Sequence, residues 1–454
     1  MLLVALGLAL LRCWGLSTWS LWLDEVFTLT DAGQGGSGNN PLGYALFDWW
    51  YGLHPGRPGE AWMRAPAAFF GILSVALVGF GFRAWFGAGP SALAGLFLAL
   101  SPWHLYWSQN ARFYTLAQLL ALLGGLAFVA GVAGHRLGRV VVGLALFGAG
   151  AMTHPSVAFL GAGFALAPFL SRWLPGGLRP SGRTLGLLFA LGLVVLAVGL
   201  RWARSVWELW ELNKGAANPV HFVASTGYLL TPLLGLAWLC GTWRALRKGS
   251  KEAGLVAIAT ILGLALALGA SLVSRMSAQY VFTFLPWLVA GAGYAFLGAS
   301  RRALVAALLV ALPLALESAL VLGPRRGDRP RWKEAYAYVF GARGPFDYVL
   351  GMEALVGEYY LDPHRVDLRS WTGVTYLDRY RPTAHRAWMR HERPMWLVVN
   401  DEQFADWDQA DARAMRAFLA EECERMREYP VPWTPRNLDV AVYRWPKAAQ
   451  PEAR

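Results

Sequence analysis

The sequence predicts an α-helical multi-pass membrane protein of about eleven transmembrane helices, followed by a C-terminal extracytoplasmic α/β domain. Three observations predict it. Only 15% of the 454 residues are charged, where an ordinary soluble chain has about 25%. The acids are unevenly placed, with 9 of the 29 Asp and Glu in residues 1–324 and the other 20 in residues 325–454. Apolar stretches of about 17–23 residues recur in the first part, long enough to cross a hydrocarbon core of about 30 Å as helices. This composition excludes intrinsic disorder, a collagen-like fibre and a disulfide-dense scaffold. The three cysteines, Cys13, Cys240 and Cys423, form neither a disulfide framework nor a metal-binding spacing.

The spans are expected near residues 2–21, 64–86, 89–107, 114–134, 138–154, 156–171, 184–202, 223–243, 253–273, 280–299 and 302–323. The pair meeting at His154-Pro155 could instead be one long kinked helix. The membrane domain is then 1–323, its first outer loop 22–63, and the soluble domain 324–454. With the N-terminus cytoplasmic, the short inner loops carry Arg83; Arg136 and Arg139; Arg172, Arg179 and Arg183; Arg244, Arg247, Lys248 and Lys251; Arg301 and Arg302. That is 12 of the 20 basic residues of this part against one acid, Glu252, so the positive-inside rule selects one orientation. Eleven spans leave the tail outside. The first span lacks a basic leader and a small-x-small site before Asp24, so it is read as a retained helix. Gly124, Gly125, Gly131 and Gly134 are read as close helix packing.

The net charge of +12 is a product of topology: the first part has 20 Lys and Arg against 9 acids, the tail 21 against 20. No nucleic-acid partner is expected. In the tail, Trp332–Phe340 reads as a helix, Phe346–Leu350 as a strand, Glu353–Leu361 as a helix and Met395–Val399 as a strand ending at Asn400-Asp401. Gln409–Arg427 reads as a charged amphipathic helix and Asp439–Trp445 as a closing strand. Strands separated by helices suggest a small α/β layer, and no glycine-rich phosphate loop follows any of them.

Asp24 and Glu25 emerge directly from the first span. A carboxylate near the bilayer is costly and a functional candidate; the alternative is a helix start favoured by the dipole. Further on come Asn39-Asn40-Pro41-Leu42-Gly43-Tyr44, Arg64-Ala-Pro66, Ser108-Gln109-Asn110-Ala-Arg112-Phe-Tyr114 and Gln279-Tyr280-Val-Phe-Thr-Phe-Leu-Pro286. In the topology above the first three face the same side as Asp24. In order, spacing and sidedness this set resembles the integral-membrane GT-C glycosyltransferases, especially the protein O-mannosyltransferase and lipid A aminoarabinose transferase group. The resemblance runs from residue 19 to about 360 and takes in Trp332-Lys-Glu-Ala-Tyr and Pro345-Phe-Asp347. Asn110 stands where that group often has Glu, and Gln279 where it often has Arg.

The resemblance implies transfer of a sugar from a polyprenyl-phosphate donor to an acceptor hydroxyl at the outer face, with inversion. The acceptor is a glycan, lipid or protein. A lipid phosphate leaves without a strong acid, so one carboxylate suffices to take the acceptor proton, whereas a glycosidase would need two flanking the sugar. Asp24 is expected as that base, with Glu25 assisting orientation or acceptor binding. Arg112, Arg64, Arg275, Gln279 and Tyr280 are expected to bind the donor and its phosphate, arginine being suited to bidentate phosphate contacts. Tyr44, Asn110, Tyr114 and His154 are expected to line the pocket; for His154, a helix-end hydrogen bond is the alternative.

Arg201, Arg204 and Lys214 are outer cations without motif support, and His54 and His221 are loop histidines. Trp202, Trp207, Trp210, Glu208 and Glu211 read as an interfacial helix. No cofactor and no zinc site are expected; a divalent cation at Asp24 and Glu25 is the alternative that oxygen ligands allow. Two rivals are a transporter or flippase of lipid-linked saccharides, though no internal repeat is evident, and a non-catalytic binder, which Asn110 and Gln279 keep open. Abundant Ala, Gly, Leu and Arg suit a GC-rich bacterial genome, so the cytoplasmic (inner) membrane is the expected location.

Overall fold

In a computed structural model of the chain, the residues described are 1–32, 40–173, 177–194, 204, 217–298, 300–361, 374–377 and 394–446. Asn39, Arg201, Trp202, Trp207, Glu208, Trp210, Glu211 and Lys214 lie outside the described residues.

The helices are, in chain order, α1 (Leu2–Ala9), α2 (Leu23–Ala32), α3 (Pro41–Gly52), α4 (Glu60–Gly81), α5 (Arg83–Phe86), α6 (Ala88–Leu100), α7 (Pro102–Ser108), α8 (Tyr114–Ala133), α9 (Leu137–Thr153), α10 (Val157–Ser171) and α11 (Gly182–Val194). They continue as α12 (Pro219–Leu230), α13 (Pro232–Lys248), α14 (Lys251–Ser271), α15 (Leu285–Ala295), α16 (Arg301–Leu322), α17 (Trp332–Ala342), α18 (Ala354–Leu361) and α19 (Gln409–Glu421). The strands are β1 (Tyr348–Gly351), β2 (Thr375–Tyr376), β3 (Met395–Val399), β4 (Glu424–Tyr429) and β5 (Val440–Trp445).

Four stretches among the described residues are long and apolar enough to cross a membrane: α4 with α5, α8, α14 and α16. Counting the pair α12 and α13, bent by 93°, as one span makes five. These mark a membrane protein. The other expected spans are shorter apolar helices. Proline explains several breaks, because it removes an amide donor and pushes the preceding residue out of the helical region. Thr231 takes φ 65° before Pro232 and splits the expected span 223–243. Ser101 is extended before Pro102, caps the His104 amide, and splits 89–107 into α6 and α7. His154 is extended before Pro155, so α9 and α10 are separate helices. The first span ends early, α1 continuing only as a 3-10 turn to Cys13 before Trp14 turns extended. The expected span 280–299 opens as a 3-10 segment, Ala278–Phe284, before α15.

The described residues form two compact units. The first comprises Met1–Trp14, Gly35–Leu46 and Arg64–Ser318; the second comprises Gly15–Gln34, Phe47–Met63 and Ala319–Arg454. Most of the first outer loop therefore clusters with the tail.

In the first unit α8 packs along α9, α10 along α14, and α13 along α15. Small residues set the spacing. A Cβ on Gly124 would stand 3.0 Å from the Gly143 carbonyl, and one on Gly143 2.8 Å from the Gly124 carbonyl. A Cβ on Gly241 would overlap the Gly291 carbonyl.

The second unit contains a five-stranded sheet in the order β2-β1-β3-β5-β4. β1 pairs parallel with β2 and β3, while β5 runs antiparallel to β3 and β4. β3, Met-Trp-Leu-Val-Val, is buried at every position and forms the sheet's core. The expected helix 409–427 is corrected: α19 stops at Glu421, and Glu424–Tyr429 is strand β4. β4 lies at the sheet edge, where charged side chains block further pairing, and those charges give the strand a helix-like sequence.

Candidate functional site

In the first unit the segment after α7, the start of α8, the α9–α10 junction and the 3-10 segment 278–284 converge on an aromatic row. Trp107 meets Tyr114 at 4.0 Å between ring centroids. Tyr114 meets His154 at 4.6 Å, and His154 meets Tyr280 at 5.9 Å. Phe113 extends the row to His154 at 6.3 Å and to Tyr44 at 5.2 Å. The Arg112 guanidinium lies 4.8 Å from the Phe113 ring, within the range of a cation–π contact. Tyr44, Tyr114, His154 and Tyr280 are all buried.

His154 Nδ1 stands 2.7 Å from Ser156 Oγ and accepts the Ser156 amide at 3.3 Å. An accepting Nδ1 places the ring proton of a neutral imidazole on Nε2. Of the expected pocket and donor residues, Tyr44, Tyr114, His154, Tyr280 and Arg112 are thus brought together. Asn110 is fully buried two residues before Arg112, its carbonyl accepting the Arg112 amide at 2.6 Å. Arg64 is fully buried on α4, Arg275 is exposed, and Gln279 is half-buried beside Tyr280.

Sequence reasoning missed a buried network that supports the row. Arg12 is fully buried. Its Nη2 donates to His104 Nδ1 at 2.8 Å and to the Leu98 carbonyl at 2.9 Å, and Nη1 donates to the Ala99 carbonyl at 3.1 Å. His104 Nε2 then donates to Gln118 Oε1 at 2.8 Å, and Gln118 Nε2 to the Phe282 carbonyl at 3.0 Å. The chain ends two residues from Tyr280 and fixes its 3-10 segment. The signal was a lone arginine within an apolar run, which requires internal partners. Gln109, in the same motif as Arg112, binds the Leu11 and Trp14 carbonyls at 3.1 and 2.7 Å and tethers the end of the first span.

The second unit holds Asp24 and Glu25, both in the first turn of α2, where the helix dipole favours carboxylates. Their environments differ. Asp24 is half-buried, and its carbonyl accepts the Thr28 hydroxyl at 2.9 Å. Glu25 is fully buried, forms an ion pair with buried Arg329 through Oε2, and accepts the Trp22 amide at 3.3 Å.

Four further bonds tie the loop segments of this unit to its C-terminal segment. The Lys333 amide donates to Ser20 Oγ at 2.9 Å, Lys333 Nζ meets Glu60 at 2.6 Å, the Leu21 amide donates to Tyr360 Oη at 2.9 Å, and Tyr359 Oη donates to the Pro58 carbonyl at 2.9 Å.

A third carboxyl, Glu353, immediately precedes α18, which packs on α2. Its Oε1 accepts Gln403 Nε2 at 2.7 Å, and its Oε2 is buried without a hydrogen-bond partner. Burial pushes this carboxyl up to about 8, the charge of Asp24 adds to the rise, and the Gln403 bond opposes it. Nothing in the sequence singled out Glu353, one of 20 acids in the tail.

No protein-family model matches the sequence, and no curated protein matches it either. Solved structures match over nearly the full length. ArnT from Cupriavidus metallidurans bound to undecaprenyl phosphate is similar with a TM-score of 0.60 at 15% identity, covering 99% of each chain. The Archaeoglobus fulgidus oligosaccharyltransferase in the apo form gives a TM-score of 0.57 at 12% identity, covering 94% of this chain and 73% of that one. The archaeal oligosaccharyltransferase AglB from the same organism, in complex with an inhibitory peptide and a dolichol-phosphate, gives 0.55 at 12% identity, covering 100% and 74%. The neighbours are GT-C glycosyltransferases, and this chain has their fold.

Proposed function

We propose that this protein is an inverting glycosyltransferase that moves a sugar from a polyprenyl-phosphate donor to an acceptor hydroxyl at the outer face of the cytoplasmic membrane. The observation that carries the reading is the full-length likeness to a structure holding undecaprenyl phosphate. The shorter apolar helices complete the membrane domain as broken spans, the N-terminus is cytoplasmic, and the tail is extracytoplasmic.

Asp24 is the base. It takes the acceptor proton as the hydroxyl oxygen bonds to the anomeric carbon, and the bond from that carbon to the phosphate oxygen breaks on the opposite face. Polyprenyl phosphate departs as an anion, so no acid is required, and Asp24 returns its proton to water. Arg112 stabilises the charge that develops on the departing phosphate, a role that often supplies the largest catalytic term. Arg64, Arg275, Gln279 and Tyr280 serve the donor. Tyr44, Asn110, Tyr114 and His154 line the pocket, the aromatic faces packing against sugar or isoprenoid.

Glu25 orients α2 through Arg329 and does not contact the acceptor. A divalent cation held by Asp24 and Glu25 does not fit this donor set, because Glu25 Oε2 is already taken by a guanidinium. The reading takes catalysis to be metal-independent, which the chelator arm of the test below checks.

The test is release of free polyprenyl phosphate from a panel of polyprenyl-phosphate sugars by the protein in lipid. Wild type is run beside Asp24→Asn, with and without a chelator. Release that depends on Asp24 and ignores the chelator supports the reading and names the donor. Binding without release identifies a non-catalytic binder. Neither binding nor release makes a transporter the next reading to test.

A further inference from the structure

Glu353 is held by three hydrogen bonds, one to its carboxyl and two to its backbone carbonyl. Gln403 binds its Oε1 at 2.7 Å. Tyr336 Oη donates to its backbone carbonyl at 3.2 Å, and that carbonyl also accepts the Gly357 amide at 3.0 Å as the first bond of α18. What remains is Oε2, buried with no hydrogen-bond partner. An ionised carboxylate with one oxygen bare in a protein interior is strongly disfavoured, and a neighbouring negative charge disfavours it further. The neighbouring charge is Asp24, on the helix against which α18 packs.

The other charged and titratable groups on the surrounding elements leave this pairing intact. On α2, Glu25 is matched by Arg329. On α17, Lys333 is matched by Glu60, Glu334 by Arg326 and Arg331, and Tyr336 is the donor already named. On the 3-10 segment Asp401–Asp406, Asp401 is matched by Arg416, and Glu402 adds only negative charge. On α18 itself, Glu358 accepts the Val374 amide at 2.6 Å.

We propose that Glu353 is a positioning residue of the transferase site: a protonated carboxyl packed against Asp24 that keeps Asp24 the single charged base of this pair. The proposal rests on the function proposed above and deepens it. While neutral, Glu353 lets α18 sit against the first turn of α2 and hold Asp24 in place. When it loses its proton, two carboxylates face each other in a buried setting, and the packing that aims Asp24 gives way. Glu353 itself does not touch the reacting atoms.

The experiment compares the pH dependence of turnover in wild type and Glu353→Gln, an isosteric side chain that stays neutral. The wild-type rate should fall about tenfold per pH unit above the Glu353 midpoint, which burial sets at about 8. The donor KM should stay constant, and Glu353→Gln should keep its rate through the same range. An alkaline limb shared by both proteins overturns the proposal.

Infrared titration gives a readout independent of activity. The carbonyl-stretch band of a protonated carboxyl should disappear near pH 8 in wild type, be missing in Glu353→Gln, and titrate at lower pH in Asp24→Asn, where the repelling charge is gone. A band lost in the ordinary carboxylate range of about 4–5, or unmoved by Asp24→Asn, overturns the proposal. A wild type that releases no polyprenyl phosphate removes the transferase reading alone; the infrared titration then decides by itself whether Glu353 and Asp24 are paired.

Discussion

Arg329→Met tests how α2 is anchored. Glu25 has 0% and Arg329 3% of its side-chain surface exposed, so both charges of this ion pair have left water. Removing the arginine breaks this buried ion pair, a change that costs about 3–5 kcal/mol. The unit that contains the pair spans 173 residues, and for that size about 1 kcal/mol shifts the midpoint by about 2–4 °C, which predicts a drop of roughly 6–20 °C. Glu25→Gln alone should be damaging for the same reason. The double variant Glu25→Gln/Arg329→Met should recover most of the loss, since both charges of the pair are then gone and the glutamine carbonyl still accepts the Trp22 amide that Glu25 Oε2 accepts at 3.3 Å. The assay is thermal unfolding followed by tryptophan fluorescence for wild type, both singles and the double, in one lipid and at one scan rate. Below its midpoint, Arg329→Met should also lose kcat, because the turn it anchors carries Asp24. A loss under about 1 kcal/mol for Arg329→Met would mean that the pair behaves like a surface ion pair, and the anchoring argument would be refuted. So would a double variant no better than the singles.

Arg112→Ala should raise the KM for the phosphate-linked donor about 10–100-fold, the equivalent of one charge-assisted hydrogen bond of about 1.5–3 kcal/mol, while leaving the unfolding temperature near that of wild type. Unchanged donor kinetics would take Arg112 out of the donor site. Gly124→Val should destabilise the α8–α9 pair, because even a Cβ there would stand 3.0 Å from the Gly143 carbonyl. Gly186→Ala on α11 has open space around the added methyl and should be neutral; equal loss in the two variants on heating in detergent would contradict the packing assigned to Gly124.

The legible parts of the fold share one property, in that a local pattern was enough to specify them. β3 is five apolar residues in a row, and the structure buries all five. The acid-poor first part and the acid-rich tail correspond to a helical, apolar part and a part with a small sheet. Where the reading failed, two local signals competed. Hydropathy alone runs straight through Thr231-Pro232 and Ser101-Pro102, because both prolines lie in apolar sequence; the backbone constraint of proline decided the outcome. β4 carries the charge density of an exposed helix, and only its pairing with β5 makes it a strand.

The candidate site divides the same way. Tyr114 and Tyr280 were legible because each sits in a short motif, and His154 because it stands beside Pro155 at the end of an apolar span; the fold stacks the three in one row. Arg329 was hidden among the basic residues that follow the last span, a cluster with an ordinary reading at a membrane edge. Its function depends on a partner 304 residues away. Glu353 was hidden more completely, since a glutamate at a helix start needs no explanation until its second oxygen is found buried and bare. The difference between Asp24 and Glu25 follows from the same cause. Adjacent in sequence and alike in chemistry, they are set apart by what reaches them from the far end of the chain: Arg329 neutralises Glu25, and α18 brings an acid toward Asp24.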